Sequence, residues 1–144
     1  GGGVERVVVD AQFMSEMTTS HRYHPFYANS GFFYLRNTPG VRLFFHDVLR
    51  HYDHVLQSAS QQEEVNRDLG MHYHLGTLQP RVLPSRLFMN GWWFRRLAEQ
   101  IEGNRRNSSA AVFHMNWTSN KREKNENWRK TSMWFLNDDD ATCA

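Results

Sequence analysis

Short apolar runs that alternate with an amphipathic helical pattern predict an α/β fold. Three stretches carry that reading. Residues 4–10 (VERVVVD) are β-branched and end in an acid, as a buried strand does. Residues 32–36 (FFYLR) form an aromatic strand. Between them and the chain's middle, Val41, Phe44, Phe45, Val48, Leu49, Tyr52, Val55 and Leu56 recur at steps of three and four, the period of one helix face. Three or four strands are visible, few for a whole α/β domain. The 144 residues suffice for one domain core or for half of a larger one.

Taken in order, Gly1-Gly2-Gly3 is a flexible lead into the first strand. Residues 11–28 read as loop, with Pro25, two histidines (His21, His24) and the rings of Tyr23, Phe26 and Tyr27. Asn29-Ser30-Gly31 punctuates the chain before the aromatic strand. Thr38 is the N-cap candidate of the long helix over 41–58, with Pro39 at its first position. Ser60 followed by Glu63 resembles a capping box and predicts a second helix to Leu69, stopped by Gly70. Val82-Leu83-Pro84 is a short strand ended by proline. Residues 88–94 (FMNGWWF) combine a turn signal with large rings, and residues 99–109 are polar loop. A run from Ala110 delivers His114 to a strand end. Residues 121–129 form a charged, solvated helix against which Trp128 and Trp134 pack. Residues 1–136 are expected to form one domain portion, and 137–144 an acidic tail.

Composition narrows the function. The formal charge of +2 is too small to imply a nucleic-acid or membrane partner. The basic residues Arg95, Arg96, Arg105, Arg106 and those of 121–130 are interspersed with Glu123 and Glu126, as on a solvated face. A single cysteine, Cys143, forms no internal bridge. No apolar run approaches the roughly 18 residues of a membrane span. Aromatics at 14% fill cores or line pockets. The chain opens without a Met and is expected to be a piece of a longer product.

The chemistry-bearing candidates each have a plain alternative. His114, followed by Lys121 and Lys124, reads as a structural histidine or as a metal ligand, since neutral imidazole binds borderline metals. The lysines are point charges suited to phosphate. Gln62 and Asn66 lie one helical turn apart, as a polar surface or as amides aimed at sugar hydroxyls. Asn29 is a turn residue or a ligand contact. Asn90-Gly91-Trp92-Trp93 is core packing or a platform for a sugar face. His72 and His74 would share a strand face without a spaced partner, and His51 and His54 read as solvated. There is no Gly-rich phosphate loop.

The order of these motifs carries more than any one of them. Asn29-Ser30-Gly31 with Phe32 to Thr38, a helix, Gln61-Gln62 and Asn66, Val82-Leu83-Pro84, Phe88-x-Asn90-Gly91, His114-x-Asn116-Trp117 with Lys121 and Lys124, and Trp134 together resemble the C-terminal part of the nucleotide-diphospho-sugar transferase family, which includes plant and algal cell-wall xylosyl- and arabinosyltransferases. The resemblance runs from about Val7 to Trp134. It implies a GT-A-type, Rossmann-like α/β domain in the Golgi lumen, a nucleotide-sugar donor, a glycan or glycoprotein acceptor and a divalent metal, usually Mn²⁺. It implies His114 as metal ligand and Lys121 and Lys124 at the leaving diphosphate. It implies Gln61 and Gln62 in the catalytic position, and Asn29, Asn66, Asn90 and Gly91 facing donor or acceptor.

Three departures accompany the resemblance. The family's Asp-x-Asp motif is absent. Its usual Asp-Gln pair stands here as Gln61-Gln62, and a glycine six residues after the histidine is Asn120. Two readings follow, a glycosyltransferase portion or a non-catalytic carbohydrate- or protein-binding module that reuses the pocket.

Overall fold

The structure, a computed structural model, describes residues 9–17, 27–93 and 110–130. It is a mixed α/β arrangement in two compact units, residues 1–88 and 89–144, each taken here by itself.

Among its described residues, the first unit has three helices and a three-stranded sheet. Its elements are β1 (Ala11–Ser15), β2 (Ala28–Leu35), α1 (Pro39–Arg50), α2 (Tyr52–Ser58), α3 (Gln61–His74) and β3 (Pro80–Val82). The strand order is β2-β1-β3, with β1 antiparallel to β2 and parallel to β3. The expected loop at 11–28 thus contains the central strand. Most of the expected strand at 4–10 lies outside the described residues. The strand was hidden because its burial does not alternate. The β1–β2 register jumps between Phe13 and Met14, from Phe33 to Asn29 on the partner. Phe13 and Met14 are therefore both buried although adjacent, and a period-two pattern cannot register a bulged strand.

Helix boundaries follow local capping chemistry. Thr38 Oγ1 accepts from the Val41 amide at 3.3 Å, with Pro39 at the first turn, and Ser60 Oγ accepts from Glu63 N at 3.3 Å, both as expected. The long helix is interrupted at His51, whose backbone leaves helical geometry (φ −92°, ψ 20°). The second expected helix passes through Gly70 and ends at His74, five residues beyond Leu69. Its stop is Gly76 at φ +68°. Thr77 N donates to His72 O at 3.0 Å and Gly76 N to Tyr73 O at 3.1 Å, a Schellman termination that favours glycine. His72 and His74 are therefore helical residues, not strand neighbours. Buried His72 is held by Thr77 Oγ1 at 2.8 Å and Asp47 Oδ2 at 3.2 Å.

The core gathers Ala11, Phe13, Ala28, Val41, Phe44, Leu69 and Leu78. Phe44 meets the edge of His72 at 5.7 Å, and Phe13 packs on Phe33 at 5.7 Å. Gly40 opens α1 where a Cβ would stand 2.2 Å from the Thr77 carbonyl oxygen, so only glycine lets α1 approach the end of α3 this closely.

In the second unit, β4 (Phe88–Asn90), at the boundary, pairs with β5 (Val112–His114), and α4 (Lys121–Lys130) follows. Trp128 of α4 meets Phe113 of β5 edge-on at 5.4 Å, the packing expected for that tryptophan. Trp134, the polar stretch 99–109 and the acidic tail lie outside the described residues. No helix among the described residues is long and apolar enough to cross a membrane.

Candidate functional site

Within the first unit, the polar candidates converge where the β2 bulge meets the start of α3. Asn66 is fully buried. Its Oδ1 accepts from Ala28 N at 2.7 Å, and its Nδ2 donates to Ala28 O and Gln62 O, each at 2.8 Å. The amide thus takes the place of a strand partner for Ala28 and fixes α3 against β2. One turn earlier, Gln62 Oε1 accepts from Ser30 N at 3.0 Å. Asn29 is buried, accepts from Gly31 N at 2.8 Å and donates from Nδ2 to Glu16 Oε2. The Asn29-Ser30-Gly31 bulge is therefore built by amides from three sides. Gln61 stands exposed at the first residue of α3. Glu16 is a carboxylate in this network that sequence reasoning passed over, because nothing local marks it.

In the second unit, Asn90 is buried and its Oδ1 accepts from Trp92 N at 3.1 Å and Trp93 N at 3.3 Å. Gly91 N donates to Asn116 Oδ1 at 2.7 Å, and a Cβ on Gly91 would fall 1.8 Å from the Asn116 carbonyl oxygen. Asn90-Gly91 is thus the joint that locks the stretch after β4 onto the stretch after His114. Trp93 Nε1 is buried with no hydrogen-bond partner among the described residues.

His114 ends β5 half-buried. Burial lowers its pKa, and the nearby Lys124 ammonium lowers it further, so the folded protein favours the neutral ring. The chain then turns at Trp117, in the left-handed region at φ 58°, and enters α4. Asn120 Oδ1 caps that helix by accepting from Glu123 N at 2.9 Å. The asparagine where the family often has glycine therefore has a local structural use. Lys121, exposed, and Lys124, half-buried, lie in the first turns of α4. Cations there oppose the helix dipole, and an anion at that place would reverse the sign of the effect.

Metal ligation by His114 is expected from the resemblance, and the described residues neither supply nor exclude its partners. Among the described residues, the His, Cys, Asp and Glu groups close enough to share an ion are those of His51, Glu64 and Asp68, and His114 stands outside that group. His54 is exposed and His51 half-exposed, as read from the sequence, and both also face buried carboxylates of α3. The pairs are separated in sequence and meet only through the helix break at His51.

A family model for nucleotide-diphospho-sugar transferases matches residues 6–127. No curated protein and no solved structure matches the chain.

Two tests follow from this geometry. Asn66→Ala leaves the buried Ala28 N–H and C=O without partners, at about 1–3 kcal/mol for each unsatisfied group. Denaturant unfolding should show a loss of at least about 2 kcal/mol. Asn66→Asp should not restore it, because its second oxygen would face the Ala28 carbonyl. For His114 the sign is fixed by its lowered pKa. Below the ordinary value of 6.5 the unfolded chain binds a proton that the folded chain resists. Stability therefore falls as the pH drops from 6.5 toward the folded pKa. His114→Gln should flatten that part of the stability–pH profile. Profiles of equal slope would refute the assignment.

Proposed function

The chain belongs to the nucleotide-diphospho-sugar transferase family across residues 6–127, and from that premise we propose a glycosyltransferase that moves a sugar from a nucleotide-diphospho-sugar to a glycan or glycoprotein acceptor. The observation that carries the reading is the neutral His114 beside Lys124, at the entrance to α4. As the glycosidic bond to the diphosphate breaks, negative charge grows on the leaving oxygens. Positive groups fixed in advance stabilise that charge more than they stabilise the bound donor, and this difference lowers the barrier. Lys124 and Lys121 supply such charge, and the amide ends of α4 add to it. A neutral His114 adds a hydrogen-bonding nitrogen without competing for the phosphate charge.

The remaining candidates fall into positioning roles. Asn66 and Gln62 shape the Ser30 bulge, and Asn90-Gly91 fixes Asn116 close behind His114. The buried indole N–H of Trp93 is a donor suited to a sugar oxygen. A divalent ion, Mn²⁺ by family resemblance, would add a Lewis acid at the diphosphate. Among the described residues, the group close enough to share an ion is that of His51, Glu64 and Asp68, without His114. Operation in the Golgi lumen accords with a glycan or glycoprotein acceptor.

A second reading keeps binding without turnover. It is favoured by Gln61, whose amide replaces the family's carboxylate, and by Gln62, which is engaged by Ser30. The two readings separate in the full-length protein that carries this sequence. Lys124→Ala and His114→Ala should each lower donor hydrolysis by about 10²-fold or more, the usual size of a lost transition-state contact, while the melting temperature stays near that of the parent. Unchanged hydrolysis in both variants would overturn the catalytic assignment. Donor binding without any hydrolysis in the parent would establish the binding module instead.

A further inference from the structure

The break between α1 and α2 brings two histidines against two buried acids. His51 occupies the break, and His54 lies in the first turn of α2. Glu64 and Asp68 are one turn apart on α3 and only 3% and 1% exposed. His51 Nδ1 lies 3.1 Å from both Asp68 carboxylate oxygens and 3.4 Å from Glu64 Oε1. His54 Nδ1 lies 3.5 Å from Glu64 Oε2, and the two imidazoles stack at 5.6 Å. The ligand atoms of His51, Glu64 and Asp68 all fall within 4.8 Å of one another.

Two buried carboxylates this close are costly unless a cation accompanies them. Arg67 is the one permanent cation seen against them among the described residues. It contacts Glu64 Oε1, stands 4.0 Å from Asp68 Oδ1, and its side chain is 39% exposed. It can leave toward solvent without burying its own charge. Zinc takes imidazole and carboxylate donors at about 2.0–2.2 Å in tetrahedral geometry, which spaces neighbouring donor atoms by about 3.3–3.5 Å. The separations of 3.1 and 3.4 Å from His51 Nδ1 to the Asp68 and Glu64 carboxylates are close to those edges. We propose that His51, Glu64 and Asp68 form a three-residue zinc site, with the fourth position left to solvent, that staples the α1–α2 junction to α3. Arg67 is its placeholder cation and is displaced when the metal enters. The site is independent of the glycosyltransferase reading, since none of its residues belongs to the diphosphate element.

The test is calorimetric titration of Zn²⁺ into the chain, with Co²⁺ absorption as a readout of coordination geometry. One equivalent should bind and give the intense visible bands of tetrahedral cobalt. His51→Gln, at a half-exposed position, should weaken binding at least tenfold while the metal-free circular dichroism is unchanged. Arg67→Ala should tighten binding at least threefold, because it removes the competing cation. His114→Gln should leave the affinity as it was. Equal affinity in His51→Gln, weaker binding in Arg67→Ala, or loss of binding in His114→Gln would each overturn the site. Asp68→Asn adds support only where its circular dichroism matches the parent, and the decision rests on His51 and Arg67.

Discussion

The hydrogen bonds between the Asn66 amide and the backbone of Ala28 are the constraint on which the first unit's polar geometry depends. A strand residue ordinarily satisfies its N–H and C=O on another strand. Ala28 opens β2 at full burial, and a helix side chain meets both needs at once. The same contact fixes the rotation of α3. That rotation carries Gln62 to the Ser30 bulge on one side of the helix and aims Glu64 and Asp68 at His51 on another. Neither consequence would survive if α3 slid by one residue.

Much of the helical framework could be read from the chain, because capping is local. Thr38, Pro39 and Ser60 act within four residues of themselves and do what their types favour. The first strand could not be read, since its burial is set by a bulge whose other half lies in β2. Gly70 was a plausible stop, yet Gly76 holds the positive φ that a termination requires. A glycine marks where a helix can end, and backbone hydrogen bonds decide which glycine is used.

The site shows the same division. His114 and its lysines form a contiguous stretch, and their proximity survives into the structure as a neutral ring beside Lys124. Asn120 was legible only as a missing glycine, and the structure gives it a role as the cap of α4. His51 with His54, and Glu64 with Asp68, had a signal of sorts, two pairs at helical spacing. Nothing in the sequence marked the break at His51 that turns one pair toward the other. Polar residues chosen as ligand contacts, Asn66 and Asn90 above all, hold backbone in place.

What makes α4 informative is a local conflict. Lys121 and Lys124 stand at the positive end of a helix dipole with Glu123 as the only acid in the first turn, while Arg122 pairs with Glu126 at 3.0 Å. Sequences resolve such conflicts elsewhere unless the charge has a use, and a diphosphate would supply the missing anion. The most direct measurement is a titration of nucleoside diphosphates and nucleotide-sugars into the full-length protein, following the His114 imidazole by nuclear magnetic resonance. The expected result is a saturable shift of the His114 ring signals, weakened in Lys124→Ala. Ring signals that stay fixed up to millimolar ligand would contradict a diphosphate site at this element.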